Sequence, residues 1–168
     1  VQGDVGSGKT MVAAAAAFCA IRNGHQAALM APTEILAEQH FASLTRLFAP
    51  LGITVGLLTG SMTPKEKRQV REKLLGGEIQ MAVGTHALIS EATQFQSLGL
   101  VITDEQHRFG VGQRSALGSK GENVHLLVMS ATPIPRTLAL LMYGDLDVSL
   151  VDELPPGRES VDTFLVSE

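Results

Sequence analysis

Short apolar runs recur along the chain at Ala27 to Ala31, Thr54 to Leu58, Gln80 to Val83, Leu100 to Thr103, Leu126 to Ser130 and Val148 to Val151. Most lack the polar alternation of a strand with one wet face, so the pattern predicts strands buried on both sides. Between them lie longer segments with helical punctuation. The clearest is Thr63-Pro64-Lys65-Glu66, where a capping threonine, a proline at the first helical position and a glutamate three residues on form a capping box. That helix is expected from Pro64 to about Leu75, where Gly76 and Gly77 supply a chain-reversing end. A first helix is expected from Lys9 through the alanines at 13 to 17 to Asn23-Gly24, and another from Thr33 to about Phe48, before Pro50. Strands alternating with helices predict an α/β domain, a mainly parallel sheet with helices on both faces. The one composition shift, Leu154-Pro155-Pro156-Gly157-Arg158, reads as a linker. Residues 1–153 are thus expected to form one domain, with 154–168 leading into the next.

Composition narrows the function. The chain has 168 residues, 45% of them hydrophobic, enough to bury a single core. Its net charge of −4 argues against a surface that holds nucleic acid by charge alone, so any phosphate partner must be gripped locally. With no tryptophan and 4% aromatics, few rings are available to stack on bases. One cysteine, Cys19, cannot form an intrachain disulfide, and a cytoplasmic location is expected. The longest apolar run, Met11 to Ile21, is too short to span a bilayer, so no membrane partner is expected.

Gly3-Asp4-Val5-Gly6-Ser7-Gly8-Lys9-Thr10 satisfies the phosphate-loop spacing of glycine, four residues, then glycine, lysine and a hydroxyl residue. The glycines let the backbone curl so that successive N–H groups point at phosphate oxygens, where a Cβ would collide with the ligand. Lys9 then reaches the β and γ phosphates of a nucleotide such as ATP. The Thr10 hydroxyl becomes a Mg²⁺ ligand, and the helix starting here turns the positive end of its dipole toward the same anion. A second signal is the apolar run 98–102, which breaks into Thr103-Asp104-Glu105-Gln106-His107. Two carboxylates at the end of a buried strand are costly unless something binds them, and ligands of open α/β sheets sit at the carboxyl ends of the strands. An acidic pair after a strand also serves as a helix cap. Its conjunction with the phosphate loop favours Asp104 as a Mg²⁺ partner of Thr10, and Glu105 as the group that orients the attacking water.

The phosphate loop, the Asp104-Glu105-Gln106-His107 box and Ser130-Ala131-Thr132 together resemble the motifs of superfamily-two helicases, in the same order and each at a strand end. The likeness is strongest to the ATP-dependent branched-DNA helicases of bacteria. It extends through Arg108 to Val111, through Pro133 to Thr137, and to Ala31-Pro32-Thr33-Glu34-Ile35-Leu36-Ala37, which looks like a first DNA-contacting motif. Transcription-repair coupling translocases share most of this but usually carry Glu at the position of Gln106. The resemblance implies the first of two RecA-like lobes, a three-layer P-loop domain. The strand entering its phosphate loop, normally central in the sheet, is truncated here to Val1 and Gln2 ahead of Gly3. The chain is therefore expected to be a segment of a longer one, nearly inactive alone, working with a second lobe and an N-terminal wedge domain. By the same resemblance Gly3 to Thr10 bind ATP, Asp104 holds Mg²⁺, Glu105 acts on water, and Gln106 and His107 look toward the γ-phosphate. Ser130 and Thr132 link nucleotide to DNA, although by themselves they read equally as caps before Pro133. DNA contacts are expected at Thr33-Glu34, Thr59-Gly60 and Thr85-His86, through backbone N–H groups that need no lysine. The basic cluster Lys65, Lys67, Arg68, Arg71 and Lys73, interspersed with Glu66 and Glu72, reads as a solvated helix face. A small-molecule P-loop enzyme and an inactive scaffold lobe are the remaining alternatives.

Overall fold

The structure, a computed structural model, describes residues 1–104, 124–131 and 147–151. The linker region 154–168 and the stretch from Thr132 to 146 lie outside them. Strands β1 (Gln2–Gly3), β2 (Gln26–Met30), β3 (Val55–Leu58), β4 (Met81–Gly84), β5 (Leu98–Asp104), β6 (His125–Met129) and β7 (Leu150–Val151) alternate with helices α1 (Lys9–Arg22), α2 (Glu34–Phe48) and α3 (Pro64–Leu75). Five strands form a parallel sheet in the order β3-β4-β2-β5-β6. The short β1 pairs in parallel with β7, and its Gln2 bridges Ser130 at the end of β6. Backbone bonds from Gly3 N–H to the Ser130 carbonyl and from Ser130 N–H to the Val1 carbonyl continue the layer across that bridge. The strand that enters the phosphate loop is therefore interior, between β6 and β7, rather than at the middle of the sheet.

Side chains of β2 show how one strand serves two layers, since alternate residues point to opposite faces. Ala27 and Leu29 join the cluster built with α1 and α2, while Ala28 and Met30 join the cluster built with α3. Ala13, Ala14 and Ala17 are the buried residues of α1, with the half-buried Phe18 and Ile21 packed against the same cluster. On α2 the buried stripe is Ala37, Leu44 and Phe48. The expected helix starts are present. Thr33 caps α2 by accepting the Leu36 amide at 3.3 Å, and α3 has the full reciprocal box, with Thr63 N–H donating to Glu66 Oε2 at 2.8 Å.

Two differences from the sequence pattern bear on function. β5 is longer than expected and Asp104 is its last residue, so the acid sits on a strand held on both sides rather than on a loop. The buried Gln26 was not foreseen: its side-chain amide donates to the Leu74 and Ile79 carbonyls at 2.8 and 2.7 Å and its oxygen accepts the Ser97 amide at 3.0 Å. That side chain ties the amino end of the sheet to α3 and to the entry of β5, and leaves the carboxyl end for the site. Among the described residues no helix is long and apolar enough to cross a membrane.

Candidate nucleotide and nucleic-acid site

Between β1 and α1 the chain turns through Gly6 and Gly8 at φ +83° and +93°, backbone that side chains with a Cβ rarely adopt. The loop is braced from within. Asp4 accepts the Val5 amide on its carboxylate at 2.7 Å and the Ser7 amide on its carbonyl at 3.1 Å, and Lys9 Nζ donates to the carbonyls of Gly3 and Asp4 at 2.7 Å each. Gly8 caps α1 without a side-chain bond, and no acidic residue stands in the first turn. The first-turn amides of Lys9 and Thr10 have no helical carbonyl within reach. A methyl on Gly3 would lie 2.5 Å from Ser7 Oγ, and that hydroxyl is buried with no partner. Unmet N–H donors, an orphaned hydroxyl, an ammonium and a helix dipole make a pocket whose chemistry suits a polyphosphate.

Asp104 lies at the same edge. It stands opposite Met129 on β6, and the next residue, Ser130, bridges Gln2 of β1. Two strand spacings, roughly 10 Å, therefore separate its row from the strand that feeds the phosphate loop. Its carboxylate is engaged: His40 Nε2 on α2 donates to Oδ2 at 2.7 Å, with the side chains only 12% and 16% exposed. A carboxylate can only accept, which fixes the proton on Nε2. Next to it, the buried Thr103 hydroxyl has no partner. Ser130 is buried, its backbone committed to β1. Glu105, Gln106, His107 and Thr132 lie outside the described residues.

The other expected contacts gather at the ends of β3 and β4. Glu34 Oε1 accepts the Ser61 amide at 2.8 Å; a methyl on Gly60 would lie 3.0 Å from that oxygen and 3.9 Å from His86 Cε1. Glu34, Gly60 and His86 are thus brought together beside the Thr33 cap. Bonds from the Ser61 hydroxyl and amide hold the Glu34 carboxyl below the usual range, helped by the Gly60 amide and Lys67. Thr59 and Thr85 correct the expectation of exposed amides. Both follow directly on their strands and are buried; the Thr59 amide is directed at Met62 Sδ at 3.4 Å and the Thr85 amide at the Leu58 carbonyl at 3.2 Å. Lys67 is also not a plain solvated residue, since its Nζ donates to the Gly60 carbonyl at 2.5 Å. His40 and Ser61 went unnoticed in the sequence. For His40 a signal existed: it is the polar residue between Ala37 and Leu44 on the stripe α2 buries, at helical spacing from each.

The sequence profile of DEAD/DEAH box helicases matches residues 1–141. The chain belongs to this helicase family. It is similar over its whole length to the ATP-dependent DNA helicase RecG of Haemophilus influenzae, at 59% identity, and over 99% of its length to that of Bacillus subtilis, at 55%. It spans about a quarter of the length of these relatives, 25% and 24% respectively. Among solved structures, RecG bound to a three-way DNA junction matches with a TM-score of 0.80 and 52% identity, covering 96% of this chain and 21% of that one. The fold is that of a RecA-like helicase domain.

Proposed function

We propose that this chain is the ATP-binding lobe of a RecG-type DNA helicase, with residues 1–153 forming the lobe and 154–168 leading to a second one. The observation that carries the proposal is the meeting of the phosphate loop and Asp104 at one sheet edge, on strands joined through β6. The residues fit ATP and Mg²⁺. Amides of Gly6, Gly8, Lys9 and Thr10 would serve the phosphates, and Lys9 would exchange the carbonyls of Gly3 and Asp4 for phosphate oxygens. The Thr10 hydroxyl and, through water, the Asp104 oxygen not held by His40 would hold Mg²⁺, which would supply neutralisation of phosphate charge. On this reading Glu105 would orient the water, Gln106 and His107 would look toward the γ-phosphate, and Ser130 with Thr132 would relay the nucleotide state.

On this reading the DNA backbone meets Thr33, Glu34, Gly60 and His86, with Thr59 and Thr85 supporting those turns from below. The substrate class is branched or forked duplex, remodelled in recombination and repair in the cytoplasm. Relatives at 55–59% identity are RecG helicases, which favours neither the transcription-repair nor the small-molecule alternative. The full-length protein should show ATPase stimulated by forked DNA and lost in Lys9→Ala. ATP turnover indifferent to every DNA offered would refute the motor assignment.

A further inference from the structure

We propose that His40 is a positioning residue that ties the DNA-facing end of α2 to the carboxylate on the metal side of the ATP site. The inference rests on the helicase reading above and adds a residue to it. Three observations carry it. His40 Nε2 holds one oxygen of Asp104 at 2.7 Å, which fixes the plane of the carboxylate and leaves the other oxygen for a metal-bound water. His40 occupies a place on the α2 stripe between buried Ala37 and Leu44, where an apolar side chain would pack and a polar one requires a partner. The same helix begins at Glu34, whose carboxylate accepts the Ser61 amide at 2.8 Å beside Gly60, itself held by Lys67.

Six residues of helix, roughly 9 Å of rigid rod, thus separate a contact on the DNA-facing turn from a contact on Asp104. A shift of the helix start when DNA seats would be felt at the carboxylate, because Ala37, Leu44 and Phe48 hold the rod against the sheet. Nothing in the phosphate loop is required for this linkage. His40 meets no phosphate and is therefore expected to govern how the metal is held rather than how the nucleotide is grasped.

The test uses the full-length protein with His40→Ala, His40→Gln and Lys9→Ala. Glutamine carries an N–H at nearly the reach of imidazole Nε2 and can restore the bond to Asp104. Binding of a fluorescent ADP analogue is measured with Mg²⁺ and in EDTA, alongside ATPase with and without a three-way DNA junction. His40→Ala should raise the half-saturating Mg²⁺ concentration roughly 10- to 100-fold, the range for a lost partner of a metal ligand. Binding in EDTA should stay within about twofold, and the fold-stimulation by DNA should fall, with His40→Gln recovering most of both. Unchanged Mg²⁺ dependence, equal losses with and without metal, or a glutamine variant as poor as alanine would each overturn the proposal. Wild-type ATPase that ignores DNA, or that survives Lys9→Ala, would instead bring down the underlying helicase reading.

Discussion

Two stretches at the same edge of the sheet, the loop 3–10 and the turn that begins at Thr59-Gly60, were both expected to receive phosphate on backbone amides, yet they are built differently. In the loop the Val5 and Ser7 amides are tied to Asp4, but the end that meets α1 is left open: Gly8 caps α1 without a side chain, no acid competes in the first turn, and the Ser7 hydroxyl is buried unpaired. In the turn the donors are already occupied, with Ser61 N–H bound by Glu34 and Thr59 N–H directed at Met62 sulfur, while Lys67 holds the Gly60 carbonyl. An open cradle gains most of its interactions on binding an anion. A closed turn must exchange an internal partner for an external one, so its net gain is small. The difference fits the proposed roles, a loop that holds a nucleotide firmly and a turn that meets a backbone lightly.

The strongest way to break this contrast is at Lys9. Its ammonium braces the loop through two carbonyls and is the loop's one full positive charge. Lys9→Ala should lower DNA-stimulated kcat of the full-length protein by about 10²- to 10³-fold, the scale for losing one transition-state donor in a water-poor site. Single-turnover ATPase measures it. Gly3→Ala comes next: its Cβ would meet Ser7 Oγ at 2.5 Å and the Val151 carbonyl at 3.0 Å, closing the cradle from below. Overpacking of about 1–3 kcal/mol corresponds to roughly 5- to 150-fold in affinity for ATP, read by equilibrium titration. If Gly3→Ala bound ATP as tightly as wild type, the cradle would be more yielding than its geometry states.

What the sequence made legible follows from how local the cause is. Helix starts were readable because a cap and its helix are neighbours in the chain, as at Thr63 and Glu66. The phosphate loop was readable because all its chemistry lies within eight residues. Its meeting with Asp104 could be anticipated only through the rule that ligands gather at strand carboxyl ends, and the strand order that puts β6 between them is a long-range result. His40 with Asp104, 64 residues apart, and Gln26 with Leu74 and Ile79, 48 and 53 apart, join elements whose adjacency no local pattern announces. Thr59 and Thr85 were misjudged for a related reason. A threonine after an apolar run reads as a loop residue, but each amide still bonds inward.

At the closed turn the informative change is Glu34→Gln. It keeps the shape and an acceptor for the Ser61 amide but removes a negative charge from the surface proposed to meet phosphodiesters. Affinity of the full-length protein for a three-way junction should rise modestly, about two- to fivefold at low salt, the scale of one repulsive charge partly screened by solvent. The pH dependence has a definite sign. The folded Glu34 carboxyl is held below its ordinary value by Ser61, so its support of the turn is complete above that value and lost as pH falls through the folded one. Protection of the Ser61 amide from hydrogen exchange should therefore drop on acidification toward and below pH 4.5 in wild type and not in Glu34→Gln. A large loss of DNA binding in this variant would mean that the carboxylate assists DNA, and the contrast with the open loop would need redrawing.

The smallest effect is expected at Thr63, and it tests whether the turn is closed by its own contacts or by the helix behind it. Thr63 and Glu66 form the capping box of α3, and Lys67, the next residue, holds the Gly60 carbonyl. Thr63→Ala removes the acceptor of the Glu66 amide and one donor to Glu66 Oε2, while the Thr63 backbone amide keeps its own bond to that oxygen at 2.8 Å. Loss of such a cap costs about 1 kcal/mol, or roughly fivefold faster hydrogen exchange in the first turn of α3. ATP affinity should be untouched, because α3 packs on the face opposite α1. Junction affinity should stay within about twofold, because Glu34 still holds Ser61 from the other side of the sheet edge. A tenfold fall in junction affinity in Thr63→Ala would show that α3, through Lys67, sets the turn, and that the two anion-facing stretches differ in which helix commands them as well as in how their amides are filled.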